Sequence, residues 1–276
     1  MSRELDSIQK GQALVIAALA MVVLVGFLAL AIDGGNAYAQ RRLMQNAADA
    51  GALAGAWALA LGENAEAAAR EYTINHNGAD SAEVTVDGQT VTVVARKSFP
   101  SFFAGVIGIP EMAASAEAMA GYSGAKSVTG LRPIAVEEKA YEFGNEYTIW
   151  DSDIITDGQR GWLDFDGGQL EDWVANGYDG TVSVDDEVEG KQGENASALQ
   201  EAEDLIGQTV VVCAYDQMHK EQGKWYYRIS SFAAFKITDV KSTGSPKWIR
   251  GQCQPLVAVG EWGGPDHGVR VVRLTK

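Results

Sequence analysis

The chain is short of the residues that most catalytic and metal chemistry needs. Its 276 residues include only two cysteines and three histidines. His76, His219 and His267 are scattered, and no Gly-x-Ser-x-Gly elbow, phosphate-binding glycine loop, dinucleotide fingerprint or His-Glu-x-x-His pair occurs. This argues against zinc sites and histidine-based catalysis, and the expectation is a chain without enzymatic activity or cofactor. Positive charge is also scarce, with 22 Lys and Arg against 37 Asp and Glu, a net charge of −15. Nucleic acid and anionic lipid surfaces would be repelled, and no basic cluster compensates. Finally, residues 13–61 contain no proline, so nothing there forces a helix to stop.

What fills that proline-free stretch organises the rest. Residues 13–32 form a run of 20 with no charge and a single glycine. At about 1.5 Å per residue it matches the roughly 30 Å hydrocarbon core of a bilayer. No breaker follows, because residues 36–61 are dominated by Ala, Leu, Gln and Arg, which are good helix formers. The helix is expected to run on beyond the membrane. In that extension Ala47, Gly51 and Gly55 fall four apart and line one face. Such a stripe of small residues lets a second backbone approach closely. Either a partner helix docks there or the stripe packs on the protein's own domain. Ala52, about 100° round the helix from Gly51, is expected to tolerate bulk.

The ordered segments Gly11 to Val15, the apolar run, Ala31 to Tyr38 and Arg41 to Ala50 resemble the N-terminal module of TadE/TadG-like proteins of the Tad (Flp) pilus-assembly system. The likeness extends weakly to about residue 120. It implies a cytoplasmic N-terminus over residues 1–10, a transmembrane helix over 11–32 and a C-terminal bulk outside the cytoplasm. It also implies other pilus-assembly proteins of the membrane and envelope as partners, with self-association. In pilin-like members a Glu stands five residues after the glycine of the processing point. Here the position holds Ile16, so the resemblance leans to the TadG-like side. The Asp-x-Ser-x-Ser metal motif carried by some TadG-like proteins is absent from the sequence. Flanking charge does not fix orientation, since Arg3 and Lys10 face Arg41 and Arg42 across the run. Small-x-small patterns at Ala29 and Ala31, and at Ala37 and Ala39, also leave a cleaved signal peptide as an alternative.

Further along, Gly62 is a natural stop for the long helix, and Asn64 can cap a second one reaching about Ile74. Residues 82–86 and 89–94 alternate about Asp87-Gly88, a strong hairpin signal. Phe99, Phe102, Phe103, Val106 and Ile107 have helical spacing, and 111–122 reads as a third strand. The expected layout for 33–124 is a pilin-like α+β module, with the long helix over a small antiparallel sheet. Residues 123–127 are small and polar and read as a linker. Beyond it, 125–276 reads as a mostly β domain, a sandwich or barrel. Its strands are expected near 147–150, 161–165, 181–184, 209–213, 225–239, 247–253 and 269–274, with helices at 168–176 and 196–206. Residues 137–204 hold 20 acidic against three basic residues, while 205–276 hold five against ten. Such asymmetry invites pairing between the halves, within one chain or head to tail between copies.

Three groups in the second half are candidate sites. Asp151, Asp153, Asp157, Asp164 and Asp166 could offer oxygens to Ca²⁺, a hard cation, although they match no EF-hand loop. Six of the seven Trp lie here. Exposed, they would make a platform for sugars or a partner, but most Trp are buried, and at least four are expected in the core. Trp262, among glycines, is the best exposed candidate. Cys213 and Cys253, both on predicted strands, would gain roughly 3–4 kcal/mol as a disulfide closing 40 residues, or stay buried thiols. Three functions remain: an anchored structural or assembly component of a Tad/Flp-type pilus, a membrane-tethered module binding sugar or a cell-surface ligand, and, remotely, a membrane-anchored hydrolase.

Overall fold

The computed structural model describes residues 2–153, 159–193 and 195–275. The helix α1 (Ser2–Leu61) is unbroken over its 60 residues, about 90 Å at 1.5 Å per residue. It ends by a Schellman pattern: Gly62 takes a left-handed φ of 76°, its N–H donates to Leu59 O, and Glu63 N–H donates to Ala58 O. Asn64 then caps α2 (Ala65–Arg70), its side-chain oxygen accepting from Ala67 N at 2.9 Å. The expected α-helix to Ile74 instead widens to a π-helical turn at Glu71–His76. There the Thr73 hydroxyl donates to Ala69 O at 2.7 Å, a side-chain bond that competes with the regular ladder.

The hairpin forms where its turn chemistry lies. Strand β1 (Ser81–Asp87) pairs with β2 (Thr90–Pro100) in a register that sets Asp87 opposite Thr90. Gly88, at φ 55°, occupies the first position of the two-residue loop, as a II′ turn requires. A 3₁₀ turn at Ala104–Ile107 follows, then β3 (Glu111–Leu131), antiparallel to β2. Val91, Val93 and Ala95 alternate onto the inner face of β2 and meet Met44, Ala47, Ala48, Ala52 and Ala56 of α1. With mostly alanine on the helix side, α1 lies close to the sheet.

The segment 123–127 is not a linker but the middle of β3. Strand β7 (Tyr178–Ser183) pairs with 127–131, β13 (Gly260–Gly264) with 124–128 and β14 (Val269–Leu274) with 120–124. The small residues mark a tight crossing, since a Cβ on Gly124 would fall 1.9 Å from Pro265 O. One sheet therefore runs across the boundary expected at 124. Strand β12 (Leu256–Val257) extends it, parallel to β14.

A second sheet runs β4 (Ala135–Glu137), β9 (Thr209–Glu221), β10 (Lys224–Lys241), β11 (Trp248–Cys253), β5 (Glu146–Asp151). Strand β8 (Glu187–Gln192) pairs with the start of β10, and β6 (Gln159–Asp164) pairs with β8. Both sheets are curled. Their facing sides bury Val128, Leu131, Val269, Phe232 and Ala234 between them. The opposite side of the second sheet buries Ala233, Phe235 and Ile237 under α3 (Leu170–Asn176) and α4 (Ala196–Glu203). Because β10 is covered on both faces, its centre reads as a continuous apolar run instead of alternating. The α+β layout, with a mostly β second half, is as expected.

Arg270 of β14 ties the two halves of the molecule together. Its guanidinium donates from Nη1 to Ala60 O, in the last turn of α1, at 2.6 Å, and from Nε to both oxygens of Asp266. It also lies over the Tyr122 ring, 4.7 Å from the centroid. A cation at a helix C-terminus is favoured by the orphan carbonyls and the dipole there. The acidic and basic blocks meet within the chain in part, through Lys224–Glu189 at 2.8 Å, with His219 near Glu187 and His267 near Glu138.

Candidate functional site

The helix α1 carries two environments on one rod. An apolar stretch of 18 residues lies in its first part, and none of it is buried. Val15, Leu24 and Leu30 are among its exposed side chains. Further on, Met44, Ala47, Ala48, Ala52 and Ala56 are fully buried. Among the described residues one helix is thus long and apolar enough to cross a membrane, and that helix continues as the core of the neighbouring sheet.

The stripe of small residues faces the protein itself. A Cβ on Gly51 would stand 1.9 Å from Thr73 Oγ1 and 3.0 Å from Ala69 O. One on Gly55 would stand 2.9 Å from Val91 Cγ1 and 3.1 Å from Ala69 Cβ. Ala47 is wholly buried with them. The close partner is therefore α2 and its π turn, with β2 alongside, and of the two readings for Ala47, Gly51 and Gly55 it is packing on the protein's own domain that the structure shows, not a docked partner helix. Ala52 is corrected too. It is 0 % exposed because α1 lies in the angle between α2 and the sheet, so a second face of the helix is covered. What α1 leaves open is a cleft of about 520 Å³ beside Leu53, Trp57 and Tyr72.

At the end of the apolar run stands a residue that sequence patterns did not single out. Asp33 is only 6 % exposed. Its carboxylate accepts from Phe102 N at 2.8 Å, Phe103 N at 3.0 Å and Ala104 N at 2.7 Å. Burial pushes its pKa up, but the three backbone donors outweigh that and hold it below the usual carboxylate range. The only signal in the sequence was a charge placed directly after 20 uncharged residues.

The aspartate candidates do not assemble a cation cage. Asp164 and Asp166 come together in a cleft of about 500 Å³ with Asp186, Glu187 and Glu189. Their oxygens are already engaged: Asp164 accepts from Gly167 N and lies 3.5 Å from Lys191, Asp166 accepts from Gly168 N, and Asp186 accepts from Ser183 N. Asp151 is elsewhere, accepting from Asp153 N. Among the described residues no three His, Cys, Asp or Glu side chains are placed to hold a metal. Asp157 lies outside the described residues.

The tryptophans form no platform. Trp150, Trp162 and Trp173 are buried, while Trp225, Trp248 and Trp262 are half-buried. Trp262, read as the exposed one, lies under the Arg273 guanidinium at 4.7 Å. The disulfide is likewise ruled out. Cys213 pairs across from Phe232 and Cys253 from Phe235, on opposite sides of β10. Two strand spacings of about 4.8 Å exceed the roughly 7 Å limit between Cα atoms, and positions 232 and 235 face opposite sides of the sheet. Both cysteines are free and buried.

With this geometry in view, residues 11–58 match the Tad family, described as Flp pilus-assembly TadE/G-like. The matched stretch lies wholly within α1, from the start of the apolar part to just short of the Schellman end. None of the curated proteins and none of the solved structures compared matches the chain.

Proposed function

We propose that this chain, whose residues 11–58 are a TadE/G-like module, is a single-pass, membrane-anchored and non-enzymatic component of a Tad/Flp-type pilus-assembly system. Residues 1–10 lie in the cytoplasm, the apolar part of α1 crosses the membrane, and the two β-sheets stand outside it. The observation that carries this reading is one of register. The family match falls on the single helix that is lipid-like in its first part and a protein core in its last. Such a rod transmits position rigidly, since the helix has no proline or break between membrane and sheet. The sheets and the open face of α1 beside Trp57 and Tyr72 then meet other components of the assembly. A Trp-based sugar module is the less supported reading, because Trp150, Trp162 and Trp173 are buried and Trp225, Trp248 and Trp262 are half-buried.

The test is genetic and biochemical. Affinity purification of the full chain from gently solubilised membranes is expected to bring down proteins of the pilus-assembly system. Deletion of its gene is expected to abolish or misassemble the pilus. Normal pili in the deletion strain would overturn the proposal.

A further inference from the structure

The loop between β2 and β3 exposes a cluster of large apolar side chains outside the span itself. Residues 98–110 carry no charge. Phe102 is 67 % exposed, Val106 89 % and Ile107 78 %, with Phe103 and Ile109 beside them. Single exposed apolar residues need no explanation, but five within eight positions mark a contact surface.

The loop's place in the fold says what covers it. Gly55 of α1 faces Val91 of β2, and Asp33 holds Phe102 just beyond its end. From 55 to 33 along the helix is about 33 Å, and from 91 to 102 along the strand is about 36 Å. The strand therefore runs down the helix toward the apolar run, and the loop projects from its lower end. Asp33 directly follows Ile32, the last residue of that run. Its three hydrogen bonds fix the backbone of Phe102, Phe103 and Ala104 at that level. Tyr38, 70 % exposed, and Arg41 and Arg42 lie about one and a half to two and a half turns further from the membrane, the order of an interfacial belt.

We propose that residues 101–110 are a second membrane contact, a wedge that beds Phe102, Val106 and Ile107 in the lipid interface beside α1 and fixes the tilt of the sheets. This rests on the apolar part of α1 spanning the bilayer. Asp33 is the positioning residue. Because the loop is uncharged, the contact needs no anionic lipid and is indifferent to salt, so the net charge of −15 does not oppose it. The bilayer is favoured over a protein partner because the patch is continuous with a surface that itself needs lipid.

Three introduced cysteines, one per variant of the full chain, decide it: Val106→Cys in the loop, Leu24→Cys in the span and Val86→Cys at the far hairpin. Cys213 and Cys253, both 0 % exposed, stay unlabelled in the folded protein. Each variant is spin-labelled and reconstituted at low density in phosphatidylcholine vesicles. Collision with dissolved oxygen is compared with collision with a water-soluble nickel complex. The proposal expects oxygen to dominate at positions 106 and 24 and nickel to dominate at 86. Nickel dominance at 106 with oxygen dominance at 24 overturns the wedge while leaving the span intact. Nickel dominance at 24 overturns the span, and the wedge with it. An immobilised label at 106, shielded from both probes, means that protein covers the loop and also overturns the wedge. Asp33→Asn is expected to spread the label at 106 over several environments without moving the one at 24. An unchanged spectrum at 106 would overturn the positioning role.

Discussion

At Gly51 a missing side chain decides how the helix sits. A Cβ there would stand 1.9 Å from the Thr73 hydroxyl, which is itself bonded to Ala69 O. Gly51→Leu is therefore expected to destabilise the detergent-solubilised full chain by roughly 1–3 kcal/mol through overpacking. Trp57→Ala, on the open face, should stay within about 0.5 kcal/mol. Thermal or denaturant unfolding measures both, and an unchanged Gly51→Leu would mean that the stripe is not packed. The thiols give a pH test. Burial raises Cys253 from 9.0 to about 11 and Cys213 further. In that window the unfolded chain loses protons that the folded chain keeps, so stability is full below about pH 9 and falls as pH rises toward 11. Half-buried Tyr141 and Tyr215, also raised, steepen the loss. Unfolding measured from pH 8 to 11 should show this decline, and alkylation should reach both thiols only on denaturation. The spacing of Ala47, Gly51 and Gly55 was legible in the sequence, but a period names a face and not what covers it. That is why the partner was left open and Ala52 was misplaced.

The elements most readable from sequence were those governed by local chemistry. Gly62 and Asn64 set a stop and a start, and Asp87-Gly88 set a turn, because each acts on backbone groups within a few residues. Contacts between distant strands were not readable. The run 123–127 has a linker's composition, yet it is a strand because three distant strands bond to it. The two cysteines sit on strands that were recognised, but their separation by β10 belongs to strand order, which no local pattern encodes. Arg270 illustrates the same limit. Its bonds to Ala60 O and Asp266 join residues 210 positions apart and four apart. Arg270→Met, which keeps most of the apolar stem, should cost about 1–3 kcal/mol by leaving a helix-end carbonyl without its donor and Asp266 with only the Gly268 N–H. Unfolding of the full chain reads that loss, and an unaltered transition would show that the tie carries no stability.

For the whole molecule, the account depends on one rod shared by membrane and protein. The apolar part of α1 was plain from composition, and its continuation as one helix followed from the absence of proline, so the long helix was legible before any packing was known. Asp33 and the loop it holds were not, because 69 residues separate that carboxylate from Phe102. The central claim is that the helix crosses the membrane once with both sheets outside the cytoplasm. Val259, 90 % exposed beside β12, is suited to test it, since the native cysteines are 0 % exposed and silent. The decisive measurement is reaction of Val259→Cys with a membrane-impermeant maleimide in intact spheroplasts. The account predicts full modification before lysis, on a chain that stays in the membrane fraction after alkaline carbonate; modification only after lysis would contradict it.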